Sequence, residues 1–249
     1  MAGAAVLGRL TWQVAEVTGL VEETPGVRTL RLDVPDWTGH RAGQHLDVRL
    51  TAEDGYQAQR SYSIASAPED EHLVLTVERL DDGEVSPYLV DEVIVGDRFE
   101  LRGPVGGYFV WEAVSGGPLL LVAGGSGIVP LMSMIRHRAA EGSTAPARLL
   151  YSSRTLADVI YREELERRTA EEDGLEVFQT LTRERPDGWA GFARRVDDEL
   201  LAEVAWPPED AARVFVCGPT GFVEAVAGGL VRLGHAPELI RTERFGATG

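Results

Sequence analysis

The chain has 249 residues, 44% hydrophobic and 26% charged, the balance of an ordinary globular protein rather than a disordered, fibrous or membrane-embedded one. Its length suits two domains of about 100–150 residues each. A formal net charge of −16, from 24 basic and 40 acidic residues, sets the mean field against phosphate backbones and argues against nucleic acid as a partner.

In chain order, the first half offers short β-type runs separated by turn residues, at 11–17, 27–34, 45–50, 62–66, 72–80 and 97–101. That spacing predicts an antiparallel barrel or sandwich. After Ser115-Gly116-Gly117-Pro118 the texture changes. Buried-type runs at 118–123, 147–151, 175–181, 213–217 and 238–241 alternate with helical segments near 130–141, 161–169, 195–205 and 221–233. This is the βαβ pattern of a five-stranded, Rossmann-like parallel sheet covered on both faces. The boundary is placed near residue 114, giving domains 1–113 and 114–249. The second half carries 15 arginines against 20 acids and the first only 9 against 20, so an anionic ligand suits the second.

All 24 basic residues are arginine and the chain has no lysine or asparagine, which reads as GC-rich coding. The one cysteine, Cys217, excludes an internal disulfide, a four-cysteine iron–sulfur cluster and a cysteine-built zinc site within this chain. Five scattered histidines suggest no metal site. The longest strong apolar run, 119–123, is far from the roughly 18 residues of a spanning helix. Within residues 1–10 the one charge, Arg9, follows the apolar stretch, the wrong order for a secretion signal. A cytoplasmic protein without membrane insertion is expected.

The strongest local signal is Gly124-Gly125-Ser126-Gly127-Ile128-Val129-Pro130, after a strand-like run and before a helical one. Glycines there admit a pyrophosphate to the backbone, and the helix start adds partial positive charge. It also reads as an ordinary turn with Pro130 in the first helical turn. In the first half, Arg60-Ser61-Tyr62-Ser63 at the start of a strand offers a guanidinium, an aromatic face and a hydroxyl. Gly83-Glu84-Val85-Ser86 follows, with Ser86 also readable as a helix cap.

Together with Cys217-Gly218-Pro219 and Glu243-Arg244-Phe245, these segments form an ordered set over about residues 10–245 that resembles the ferredoxin-NADP reductase superfamily. The resemblance implies a six-stranded flavin-binding barrel followed by a nicotinamide-dinucleotide domain. It implies that Arg60 holds the phosphates of FAD, Tyr62 stacks on the isoalloxazine and Ser63, beside Ser61, hydrogen-bonds near N5. Gly83, Val85 and Ser86 would present donors to the diphosphate. Flavin mononucleotide is the alternative. Gly124, Gly125 and Gly127 would cradle the dinucleotide's pyrophosphate, while Cys217, with Gly218, would border the nicotinamide. Glu243 would serve proton movement and Phe245 would cover the flavin, the bland alternative being a frayed tail. Thr182-Arg183-Glu184 resembles the family segment that grips a 2′-phosphate, with Ser153 and Arg154 assisting. Arginine forks suit that group, so NADPH is expected over NADH.

The implied activity is hydride transfer from NADPH to FAD, then single-electron delivery to a separate ferredoxin-type, haem or oxygenase partner. A docking patch including Arg28, Arg31 or Arg102 would have to overcome the acidic field. Two other readings stay open: a reductase of free flavin or another small acceptor, and a non-catalytic dinucleotide-binding regulatory module.

Overall fold

The computed structural model describes residues 10–245. Expectations about residues 1–9 and the tail after Phe245 lie outside them. The first half forms one antiparallel sheet of β1 (Gln13–Thr24), β2 (Val27–Asp33), β3 (His45–Thr51), β4 (Gln57–Ser63), β5 (Leu73–Glu78) and β6 (Arg98–Val105), in the order β4-β3-β6-β1-β2-β5. Its two edges meet: Ile64 bridges Leu75, and Ala65 N–H donates to the carbonyl of Val74 at 2.8 Å, so the sheet closes into a barrel. The closure is made only at this corner, so Gln57–Arg60 of β4 remain at an open edge. Inside, Leu30, Leu46, Val48, Leu75 and Leu101 are fully buried, each contributing about 1.5–3 kcal/mol relative to exposure.

The second half is the expected five-stranded parallel sheet, β7 (Leu119–Gly124), β8 (Ala147–Ser153), β9 (Leu175–Leu181), β10 (Arg213–Pro219) and β11 (Ile240–Phe245), ordered β11-β10-β7-β8-β9. Its helices are α1 (Ile128–Ala140), α2 (Arg162–Glu171), α3 (Asp198–Val204) and α4 (Thr220–Arg232). Side chains of β7 alternate between two cores. Leu119, Leu121 and Ala123 pack with α1 and α2, while Leu120 and Val122 pack with α3 and α4. A strand buried on both faces therefore reads as an unbroken apolar run.

The first core also takes in Ala42, Ala65, Phe109 and Trp111, so barrel and parallel sheet share packed surface. Polar ties reinforce it. Ser133 Oγ donates to the carbonyl of Ser66 at 2.7 Å, Arg136 to that of Ala65 at 2.6 Å, and Tyr161 to Thr76 Oγ1. His137 gathers with Glu69 and Glu141, yet both its ring nitrogens are used: Ala113 N–H donates to Nε2 at 3.3 Å, leaving the Nδ1 proton for Glu69 at 2.8 Å. The group thus acts as an interdomain tie.

Four boundaries differ from the sequence reading. Strand β4 begins at Gln57, so Arg60–Ser63 closes the strand instead of opening it. Only Ala58 in Gln57–Ser61 is buried, which left no apolar alternation to read. Strand β1 continues to Thr24 through register shifts near Gly19 and Glu22. Helix α3 starts only after Asp197, whose carboxylate accepts from Leu200 N–H at 2.8 Å. The last strand runs from Ile240 to Phe245, because Pro237–Leu239 forms a tight turn; Glu243–Phe245, for which a frayed tail was the alternative reading, is paired with β10.

Candidate active site

Strand order reverses at β7, all strands staying parallel: from β7 the sheet grows toward β8 and β9 on one side and takes β10 and β11 on the other. Ligands of open α/β sheets bind beyond the carboxyl ends of strands at such a switch point. Here those ends carry Gly124–Gly127 and Cys217–Pro219, and a cleft of about 570 Å³ opens beside them against the β1–β2 turn and the end of β5. Of the predicted residues, Gly124, Gly125, Ser153, Arg154, Thr182 and Phe245 line it.

The glycines have separate reasons. Gly125 sits at φ +56 with no atom within 4 Å of where a Cβ would stand, so its backbone faces open space in a conformation that suits glycine. Gly127 is packed beneath: a Cβ would lie 2.1 Å from the carbonyl oxygen of Cys217. The two motifs therefore touch through bare backbone. The turn Gly125–Gly127 runs straight into α1 with no side-chain cap on either, and Ile128 N–H donates to the carbonyls of Gly125 and Ser126, so an anion here would meet the N–H groups of the glycine turn rather than the first of α1.

At the other end, Thr182 N–H donates to the carbonyl of Ser153 at 3.0 Å and Arg183 N–H to that of Arg154 at 2.9 Å, holding the two loops side by side. Arg154 lies 3.9 Å from both Glu78 and Asp158. Arg183 is exposed and stands outside the cleft lining.

On the barrel, strand alternation puts Arg60 and Tyr62 on one face of β4 and Ser61 and Ser63 on the other. Ser61 Oγ donates to Asp47 at 2.7 Å, which leaves only its backbone for a ligand beside Arg60. Val85 is fully buried and likewise offers backbone alone. Ser86 does not cap the helical turn Tyr88–Glu92, whose cap position is Pro87. Its hydroxyl instead accepts from Leu80 N–H at 3.1 Å, pinning the loop, and keeps its own proton to donate.

Ser63 pairs in register with His45, and Cys217 with Glu243. His45 Nδ1 lies 3.5 Å from Glu243 Oε1, so the four residues align across the junction of the two sheets. Sequence reading missed His45, though the hairpin contained the signal: counting outward from Asp54 at the turn sets residue 45 opposite 63. Of the arginines suggested for a docking patch, Arg102 is committed to Asp47 at 2.6 Å, Arg28 donates to the carbonyl of Val93 at 3.1 Å, and Arg31 reaches only Thr18.

Residues 15–110 match the model of the oxidoreductase FAD-binding domain and residues 121–228 that of the oxidoreductase NAD-binding domain. The chain belongs to the ferredoxin-NADP reductase superfamily. Among its relatives are the glycine betaine monooxygenase reductase subunit of Chromohalobacter salexigens, 32% identical over 92% of this chain, and the NADH oxidoreductase HCR of Escherichia coli, 34% identical over 90%. The chain spans 63% and 65% of those relatives' lengths. Among solved structures, the flavohaem-like FAD/NAD-binding domain of a Vibrio cholerae nitric oxide dioxygenase matches with a TM-score of 0.84 at 26% identity, covering 94% of this chain and 99% of that one.

In this superfamily setting two observations suit a bound dinucleotide beside the barrel. Gly125 opens backbone to the cleft, and Glu243 Oε2 is buried without a donor where a ligand could supply one. Burial, with the Glu243 carboxylate adding to it, pushes the Cys217 thiol well up, so it stays protonated and suits a packing role better than a nucleophilic one.

The Glu243 carboxylate, 3.5 Å from Nδ1, raises the pKa of His45 despite burial. A histidine raised on folding contributes stability that is complete below its unfolded pKa and lost as pH rises through the folded one. Thermal unfolding of the wild type and Glu243→Gln is therefore expected to differ most below about pH 6.5 and to converge on the alkaline side. A gap that widens with rising pH would contradict the pair.

Proposed function

We propose that the chain is an NADPH-dependent flavoprotein reductase of the cytoplasm, where reduced nicotinamide dinucleotides are supplied, delivering electrons singly to a separate acceptor protein. Bound FAD supplies a hydride acceptor at N5 and one-electron release, chemistry that no side chain offers. The observation that carries the reading is the alignment of Ser63 and His45 on the barrel with Glu243 and Cys217 on the parallel sheet. The flavin part is residues 1–113 and the dinucleotide part 114–249.

In this reading Arg60, Tyr62, Gly83, Val85 and Ser86 hold the flavin, with Ser61 contributing backbone. Gly124, Gly125, Gly127 and Gly218 shape the pyrophosphate cradle. Ser153, Arg154, Thr182 and Arg183 take the adenosine end, and Phe245, on β11 at the cleft, covers the flavin ring. Ser63 donates toward the reacting nitrogen, Cys217 packs at the nicotinamide, and Glu243, held by His45, is placed to move a proton. Relatives named as reductase subunits or components of monooxygenases support a separate acceptor. The net charge of −16 favours one with a basic docking face.

The test is the visible spectrum of the purified protein before and after anaerobic addition of NADPH or NADH. A flavin band bleached preferentially by NADPH supports the reading; a colourless protein that takes up no added FAD removes it. Ser63→Ala is expected to slow flavin reduction about tenfold, the scale of one lost hydrogen bond, with flavin content retained. Loss of the flavin itself would make Ser63 a holding residue instead.

A further inference from the structure

Arg60 is held by Glu84, on a segment after β5 whose charge is mostly negative: Asp81, Asp82, Glu84 and Asp91 with Arg79. Both guanidinium groups are already engaged. Arg60 donates to Glu84 Oε2 at 2.9 Å and to the carbonyl of Gln59 at 2.7 Å. Arg79 donates to Asp91 at 2.7 Å and to Asp81. The Tyr56 hydroxyl fixes Glu84 from its other side, donating to Oε1 at 2.6 Å, and with Arg60 it holds that carboxyl below its usual range, so it is charged at neutral pH.

Loop motion cannot readily carry Glu84 away. Its neighbour Val85 is fully buried, Ser86 Oγ takes the N–H of Leu80, and Gly83 N–H donates to the Leu80 carbonyl at 2.9 Å. A flavin diphosphate approaching Arg60 therefore meets a carboxylate bonded to the same guanidinium.

We propose that Glu84 is a determinant of flavin affinity, competing with the FAD diphosphate for Arg60 and repelling it, so that the flavin is held loosely enough to exchange. This rests on the reading of Arg60 as the diphosphate ligand. Both partners are about half exposed, at 53% and 46%, so water screens much of the repulsion. What remains is a modest but measurable penalty.

The full chain, stripped of flavin, is titrated with FAD and with riboflavin, which lacks phosphate, for wild type, Glu84→Gln and Tyr56→Phe. Glu84→Gln is expected to bind FAD about tenfold tighter at low salt, a gain that shrinks as salt screens it. Riboflavin affinity stays equal in the two proteins. Tyr56→Phe keeps the carboxylate charge and does not tighten FAD. Equal or weaker FAD binding by Glu84→Gln, an equal gain for riboflavin, or the same gain in Tyr56→Phe overturns the proposal. If no protein binds FAD or riboflavin, the flavin reading itself falls, and this inference with it.

Discussion

Replacing Arg154 and Arg183 together with alanine is expected to lower kcat/KM for NADPH about 100-fold while leaving NADH within about twofold, since charge-assisted hydrogen bonds contribute about 1.5–3 kcal/mol each and the 2′-phosphate is the only difference between the coenzymes. The effect divides unequally. Arg154 lines the cleft and Arg183 stands beyond it, tied to it only through backbone. Arg154→Ala alone should therefore cost more than Arg183→Ala. Glu78 and Asp158, each 3.9 Å from Arg154, oppose an incoming phosphate and limit the gain that arginine provides. Steady-state turnover of both coenzymes with an artificial one-electron acceptor measures this; equal losses would end the assignment of these arginines to the 2′-phosphate.

The parts of this site that were legible in the sequence are those whose local chemistry is self-contained. The loop Gly124–Gly127 announces itself because a strand buried on both faces must be apolar throughout and the turn after it must admit close backbone contact. The parallel sheet follows for the same reason. Strand β4 was misplaced because it lies at the barrel edge, where Gln57, Gln59 and Arg60 face water and the alternation rule has nothing to act on. His45 was passed over because its meaning depends on two pairings at once, with Ser63 along the hairpin and with Glu243 across the domain junction. The ion pair between Arg60 and Glu84 spans 24 residues and a loop whose path no periodicity describes.

Gly127 provides the sharpest test of how the two dinucleotide motifs depend on each other. A methyl group there would meet three backbone atoms, the carbonyl oxygen of Cys217 at 2.1 Å, its carbon at 2.4 Å and the nitrogen of Gly218 at 2.8 Å. None belongs to a side chain that could rotate away, so β10 or the start of α1 has to shift. Gly127→Ala is expected to cost about 3 kcal/mol or more, the upper range for overpacking, seen as a lower denaturant midpoint in equilibrium unfolding. Gly125→Ala meets open space and pays only for its left-handed backbone, about 1–2 kcal/mol. Their functional effects should part as well: moving Cys217 displaces it from Glu243, its register partner, so reduction by NADPH should suffer more in Gly127→Ala, even at temperatures where both variants remain folded. Equal stability losses in the two variants would mean that the contact between the glycine loop and the Cys217 strand is not what fixes the geometry of the cleft.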